Sequence, residues 1–254
     1  MTERFSASNA KKHMACHASA DLPRAIPGYT PPVIDKEIGG AAQAGTDVHK
    51  VIEDLLAIKT VTKSGVTKFN AKDMIAVGRI LTYLGELWST RRFKVTNEVP
   101  ADAVWLDRAA NEGYPSTTAD IVFSTQDELH IVDVKWGKIK VEVFDNKQLL
   151  YYAATYSGLA PKAKKVTVHI LQPRADNMES WTFDTFELMK FMDEARAADN
   201  AIRAGDTTFG PGDHCLFCPA YPHARIQKGT PLCPATLDLL YPGRVDTAAM
   251  LADE

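Results

Sequence analysis

The sequence predicts an α/β protein, bordering on α+β, built on one central mixed sheet flanked by helices. Three observations carry this. Apolar residues step by three and four over two stretches before residue 90, then alternate with polar residues in short runs between 93 and 135, and both patterns recur between 145 and 203. With 254 residues, 45% hydrophobic and 24% charged, the chain can bury a core without cross-links. Its 14 prolines and 15 glycines fall short of a low-complexity composition. No apolar stretch approaches the roughly 18 residues of a membrane helix, and the N-terminus lacks a signal-peptide core, so a cytoplasmic protein is the default expectation.

Taken in order, Ser6 to Cys16 reads as a short helix with Ser6 or Ser8 as N-cap. Residues 21–40, rich in proline and glycine, form a connector. A helix follows over 45–58, where Val48, Ile52 and Leu55 recur at helical spacing, Thr46 or Asp47 caps the start, and His49 lies one position from the apolar stripe. A longer helix over 70–89 carries Met74, Val77, Leu81, Leu84 and Trp88 on one face. Alternation then marks strands at 93–99, 119–124 and 129–135, the last two joined by the polar connection Thr125 to Glu128. Helical spacing returns over 145–157, a strand over 165–171, and a helix over 186–203 that Gly210-Pro211-Gly212 breaks. This divides the chain into an N-terminal segment (1–40), a core (41–205) and a Cys-rich tail (206–254) that packs as one unit with 1–40.

There is no Gly-rich phosphate loop and no Gly-x-Ser-x-Gly elbow, which removes nucleotide-kinase and elbow-type hydrolase readings. Residues two apart on a strand share a face, so Asp133 and Lys135 project together. Asp120, on the neighbouring strand, adds a second carboxylate, and a pair of carboxylates suits a hard cation such as Mg²⁺ or Mn²⁺. Lys135 would orient or deprotonate a water. Gln148 and Tyr152, four apart on the next helix, share a face toward the strand ends, and His49 offers a nitrogen ligand. Glu98 reads as a solvated strand residue outside the site.

Four cysteines are too few for a disulfide scaffold, yet three lie between 215 and 233. Cys215-Leu216-Phe217-Cys218 among prolines and glycines is a ligand arrangement. Structural Zn²⁺ with His17, His214 or His223 in place of a cysteine, a redox pair at Cys215 and Cys218, and simple buried thiols are the readings the residues leave open.

The formal net charge of -3 gives no global pull toward a polyanion. Local patches exist at Arg91, Arg92 and Lys94, at Lys162, Lys164 and Lys165, and at Lys138, Lys140 and Lys147 beside the proposed site, each either a phosphate contact or a solvated face. Trp136, Tyr151 and Tyr156 either stack on bases or pack in the core.

Thr118-Ala-Asp120-Ile-Val, Val132-Asp133-Val-Lys135-Trp-Gly and Asn146-Lys-Gln148-Leu-Leu-Tyr-Tyr152-Ala, with His49 ahead of the sheet, resemble the PD-(D/E)XK nuclease superfamily in its RecB-type exonuclease branch. The chain is most similar to phage-encoded and CRISPR-associated RecB-like iron-sulfur exonucleases. This resemblance spans nearly the whole chain and implies a restriction-endonuclease-like core. It also implies metal ligation by His49, Asp120, Asp133 and the Val134 carbonyl, with Lys135 as catalytic lysine and Gln148 and Tyr152 as accessory residues. Cys16, Cys215, Cys218 and Cys233 would ligate a 4Fe-4S cluster. Two departures are a long interval between Cys218 and Cys233, and Thr117-Thr118 where a glycine often precedes the first aspartate.

The implied activity is metal-dependent DNA exonuclease cleavage in phage or prokaryotic recombination, repair or replication. DNA ends or single strands, and a single-strand-annealing or single-strand-binding protein, are the implied partners, in the host cytoplasm and without a membrane. A non-catalytic DNA-binding or recombination scaffold of the same fold and a CRISPR-adaptation trimming nuclease are the alternatives.

Overall fold

The computed structural model describes residues 5–26, 28–29, 40–56, 69–90, 92–109, 113–221 and 233–236. In chain order the helices are α1 (Ala10–Ala15), α2 (Leu22–Ala25), α3 (Gly40–Leu56), α4 (Ala71–Ser89), α5 (Lys147–Tyr156) and α6 (Thr185–Arg203). The strands are β1 (Lys94–Asn97), β2 (Pro100–Asp102), β3 (Ser116–Thr118), β4 (Ile121–Ser124), β5 (Leu129–Val134), β6 (Lys165–Gln172) and β7 (Asn177–Asp184). The chain divides into two compact units, one of residues Asp35–Phe191 and one of Met1–Ile34 with Met192–Glu254, so the boundary falls inside α6.

The unit Asp35–Phe191 is built on a sheet in the order β1-β4-β5-β6-β7. Only β5 and β6 run parallel, and α5 lies in the connection between them; the other neighbours are antiparallel. Burial explains the patterns. All four residues of β4 are buried, and β5 is buried except for His130. Val48, Val51 and Ile52 of α3 and Ile80 and Leu84 of α4 form one apolar core with Phe123, Val132, Val134, Trp136 and Leu171. Asn70 caps α4, its side chain accepting from the Asp73 amide, and Asn146 caps α5 by accepting from Gln148 and Leu149. The β4–β5 connection closes with the Thr125 amide donating to the Glu128 carbonyl.

Several boundaries and strands differ from the sequence expectation. Helix α3 begins at Gly40, and residues 57–58 of the expected helix lie outside the described residues. Strand β4 starts only at Ile121, so Asp120 stands just before it. The short pair β2–β3 and the edge strand β7 were not expected. In β7 only Asn177 and Phe183 are buried, because an edge strand presents little apolar alternation, and its pairing with β6 supplies what its own residues do not.

Past β5 the chain is pinned from below. Buried Gln172 donates to the carbonyls of Gly137 and Ile139 and accepts from the Val141 amide, while Asn177 donates to the Val141 carbonyl. Two buried amides thus satisfy backbone groups that a loop would otherwise leave to water, and they fix the stretch that follows Lys135.

In the other unit, Ala7–Asn9 forms a 3-10 turn ahead of α1, and neither Ser6 nor Ser8 caps the helix; their hydroxyls face each other at 3.4 Å. Helix α6 ends in a Schellman arrangement, with the Gly205 amide donating to Ile202 and the Asp206 amide to Ala201. Gly205, at φ 90°, permits it, so the break comes before Gly210-Pro211-Gly212. Gly210 has a different task. A Cβ there would overlap the Ala15 carbonyl oxygen, so the backbones of the tail and of α1 meet where only glycine fits. We expect Gly210→Ala to destabilise this unit by about 2 kcal/mol, read as a lower midpoint in denaturant. An unchanged midpoint contradicts the close approach.

Candidate metal centre

Ladder register builds the site. The antiparallel pair β1–β4 ends at Asn97 opposite Ile121, and one step on the Glu98 amide donates to the Asp120 carbonyl (3.2 Å). On the other side Ile121 faces Val132, so Asp120 comes to the end of β5 beside Asp133. The Asp120 carboxylate then accepts from the Val134 amide at 2.7 Å, which fixes its orientation. Glu98 sits at φ 47°, in the left-handed region, which takes it out of the strand alternation.

From α3, His49 Nε2 donates to the Val134 carbonyl at 3.0 Å. Its Nδ1 faces Asp120 Oδ1 at 3.4 Å and Glu98 Oε1 at 3.5 Å. His49, Glu98 and Asp120 bring one ligand atom each to within 4.8 Å of one another, the one such group among the described residues. They line a pocket of about 10 Å³ that also touches Val134, room for a single water-sized occupant.

Electrostatics fit a cation there. The Asp120 carboxylate, accepting from His49, is the main cause that raises the imidazole to about 9, against the opposing effect of burial. Burial and the neighbouring Asp120 charge hold Glu98 above the ordinary carboxylate range. A positive charge is therefore wanted between the carboxylates, and without a metal a proton on His49 supplies it. Two carboxylates, one imidazole and a backbone carbonyl are a donor set suited to Mg²⁺ or Mn²⁺.

Binding a cation through His49 must displace that proton. We expect apparent Mn²⁺ affinity to fall about tenfold for each pH unit below about 9, as the proton on His49 competes with the ion. Calorimetry in buffers of different ionisation enthalpy should count about one proton released at neutral pH, and none in His49→Gln. Release that persists in that variant contradicts the assignment.

A wider cleft of about 490 Å³ adjoins the pocket, lined by His49, Glu98, Asp120, Asp133, Lys135, Gln148 and Tyr152. Asp133 is buried, and burial pushes its carboxyl up to about 6 against the opposing charge of Lys135. Lys135 Nζ lies 3.0 Å from Asp133 Oδ1, as a hydrogen bond, and 2.9 Å from Oδ2. Oδ2 is buried and has no hydrogen-bond partner of good geometry, its one close neighbour being the Lys135 ammonium. Lys135 also donates to Gln148 Oε1 at 3.3 Å, and Gln148 Nε2 donates to the Tyr152 hydroxyl at 2.9 Å. Burial keeps that phenol neutral well above its ordinary range.

The residues expected from sequence thus line one cleft, with one change in grouping. Glu98, left outside the site, belongs to the tight ligand group, whereas Asp133 is held by Lys135 next to it. The signal for Glu98 is long-range, since it needs the β1–β4 register and the left-handed turn, neither of which is local in the sequence.

Other expectations change more. Trp136, Tyr151 and Tyr156 are buried and do not present faces for base stacking. Tyr151 packs edge-on against Trp105, and the Tyr156 hydroxyl donates to the Val99 carbonyl. Lys140 is paired with Glu179 and Lys147 with Asp145, both at 2.8 Å. Arg92 is exposed and Arg91 lies outside the described residues. Lys162, Lys164 and Lys165 line a separate cleft with Asp127, Glu128 and His130.

The four cysteines carry no disulfide. Cys16, Cys218 and Cys233 belong to one apolar cluster with Ala18, Leu22, Ile26 and Tyr29. Backbone donors point at the sulfurs: Gly212 to Cys215 at 3.3 Å, Gly210 and Ser19 to Cys16, and Ala220 to Cys218. Burial raises the thiols of Cys16 and Cys218, so the metal-free form is protonated. His214 Nε2 lies 3.7 Å from Cys215 Sγ, His17 is bound to Asp206 at 2.7 Å, and His223 is outside the described residues.

Fold and site together define a mixed α/β protein with a pocket bounded by an imidazole and two carboxylates at the end of its central strands. The chain belongs to the family described as "Protein of unknown function (DUF2800)", which matches residues 3–250. It is also similar to a solved structure titled "Crystal structure of SSO0001", at 14% identity and a TM-score of 0.34 over 68% of this chain and 81% of that one. Among the described residues, no helix is long and apolar enough to cross a membrane.

Proposed function

We propose that this protein is a metal-dependent DNA exonuclease that hydrolyses phosphodiester bonds at the cleft formed by His49, Glu98, Asp120, Asp133 and Lys135. The observation that carries the reading is the water-sized pocket bounded by an imidazole and two carboxylates, opening beside a buried Asp–Lys pair. His49, Glu98, Asp120 and the Val134 carbonyl would hold Mg²⁺ or Mn²⁺, with Asp133 lining the adjoining cleft. The ion supplies Lewis acidity and a water of lowered pKa.

The chain's own groups do the rest. Asp133 and Gln148 hold the Lys135 ammonium in place, so its remaining proton faces the cleft and can steady a water or a phosphate oxygen. Tyr152 accepts from Gln148, which leaves its own hydroxyl proton available to the cleft. Asp133 is ionised above about 6, where it can take part in ligation.

The second part of the reading is a 4Fe-4S cluster on Cys16, Cys215, Cys218 and Cys233. Amide donors aimed at the sulfurs of Cys16, Cys215 and Cys218 suit thiolate ligands, since a neutral thiol needs no such donors. No three of the sulfurs lie within 4.8 Å of one another. A tetrahedral zinc site with Zn–S bonds of about 2.3 Å needs sulfurs about 3.8 Å apart. A cubane would place each cysteine on its own corner iron and does not require three sulfurs to converge on one ion.

End-labelled single- and double-stranded DNA, incubated with Mg²⁺ or Mn²⁺ and followed on a gel, tests activity and polarity together. Stepwise shortening from an end supports the reading. DNA that is bound but left intact favours a non-catalytic scaffold.

A further inference from the structure

A second cleft, of about 320 Å³, adjoins the first where Gly137 of one meets Lys138 of the other. Lys72 and Arg79 from α4, Lys138 from the pinned stretch after β5, and Arg174 from the turn after β6 line it, and among the described residues Asp73 is the one carboxylate in its wall. Arg79 is bound to Asp176 at 2.7 Å and to the Pro173 carbonyl. Among the described residues, no carboxylate pairs with Lys72, Lys138 or Arg174. Even after Asp73 and Asp176 are set against the four cations, the described residues of the cleft keep a surplus of two positive charges in a chain whose total is -3.

These cations stand on fixed supports. The Arg174 guanidinium lies 5.3 Å over the ring of Trp136, a cation–π contact that orients it without neutralising it. Trp136 is itself a core residue and a wall of the site cleft. Lys138 sits between the two backbone carbonyls that Gln172 holds. A solvated lysine patch has no such architecture, whereas fixed and unneutralised cations next to a hydrolytic centre suit a repeating anion that passes through both clefts.

We propose that this second cleft binds the sugar–phosphate backbone of the DNA strand whose scissile bond lies at the metal centre, with Lys138 and Arg174 as the principal phosphate contacts and Lys72 and Arg79 behind them. This rests on the nuclease reading for its occupant, but binding can be read without cleavage.

The test is equilibrium binding of a fluorescein-labelled DNA oligonucleotide to the full chain in EDTA, by anisotropy over a range of salt concentrations. We expect Lys138→Gln with Arg174→Gln to weaken binding about tenfold and to lower the slope of log K against log salt by about 1.4, two single-strand phosphate contacts. Lys138→Gln alone, at an exposed position, should give about half that change in slope, which keeps the test valid should the Arg174 substitution disturb Trp136. Lys190→Gln, an equal loss of charge on α6, should change neither quantity. Wild-type affinity and slope in the double variant overturn the proposal, as do equal losses in Lys190→Gln or an absence of DNA binding by the wild type. A chain that binds DNA through these residues but never cleaves it with Mg²⁺ or Mn²⁺ sinks the nuclease reading and leaves the cleft standing. Cleavage with unchanged binding in the double variant does the reverse.

Discussion

Asp133→Ala is expected to reduce DNA cleavage by on the order of 10³-fold or more, with Asp120→Ala at least as severe. The two substitutions act differently. Asp120 touches His49 and the Val134 amide, so its loss removes a ligand and the charge that protonates His49. The resting imidazole should therefore titrate at a lower pH, visible by NMR in EDTA. Asp133 touches Lys135, and its loss frees an ammonium that the buried carboxylate holds in place. Asp133→Asn is the more informative variant, since it keeps the shape and removes the charge.

In the wild type, cleavage should decline as pH falls through about 6, because the form that ligates and holds Lys135 is the carboxylate, and burial has raised the pH at which it forms. Bound metal pulls that midpoint down, so higher Mn²⁺ should shift the acid limb to lower pH. Wild-type rates in either alanine variant, with circular dichroism unchanged, would falsify the proposed centre.

What the sequence disclosed of this site follows from how local each signal is. Asp133 and Lys135 are two apart on a strand whose apolar residues pin its register, and Gln148 and Tyr152 are one helical turn apart, so each pair could be placed from its own neighbourhood. His49 stands beside Val48, which is fully buried in the core, and that fixes its helix face. Glu98 had no such anchor. Its role depends on the end of the β1–β4 ladder and on a left-handed backbone turn, and an alternating pattern carries it to the solvent side. The aromatic residues failed in the opposite sense. Trp136, Tyr151 and Tyr156 read equally as stacking platforms or as core; α5 packs its apolar face on the central strands and takes Tyr151 and Tyr156 inward, while Trp136 joins the core formed with α3 and α4. In the fold, β7 escaped notice because its pairing with β6 defines it more than its own composition does.

Chain purified without oxygen is expected to be brown and to carry about four irons with matching acid-labile sulfide, and Cys218→Ser to lose both. The structural consequence should be as large as the chemical one. Apart from the end of α6, the unit formed by the N-terminal segment and the tail has short helices, α1 of 6 residues and α2 of 4, and its apolar cluster includes three of the four cysteines. So small a core supplies little stability by itself, and ligand binding that requires the folded form adds its full free energy, on the order of 10 kcal/mol for structural metal sites. Without metal, the thiols of Cys16, Cys215 and Cys218 also leave their amide donors facing poor acceptors.

Limited trypsin digestion reads this directly. Lys11, Lys12, Arg24 and Arg203 should resist cleavage in the brown protein and be cut within the same time course in Cys218→Ser or after iron chelation. A colourless protein with one equivalent of zinc and the same protection replaces the cluster with a zinc site, for which His214, already beside Cys215, is the available extra ligand. Protection without any metal reduces the four cysteines to core thiols, and then the close backbone approach at Gly210 has to hold the tail to α1 without them.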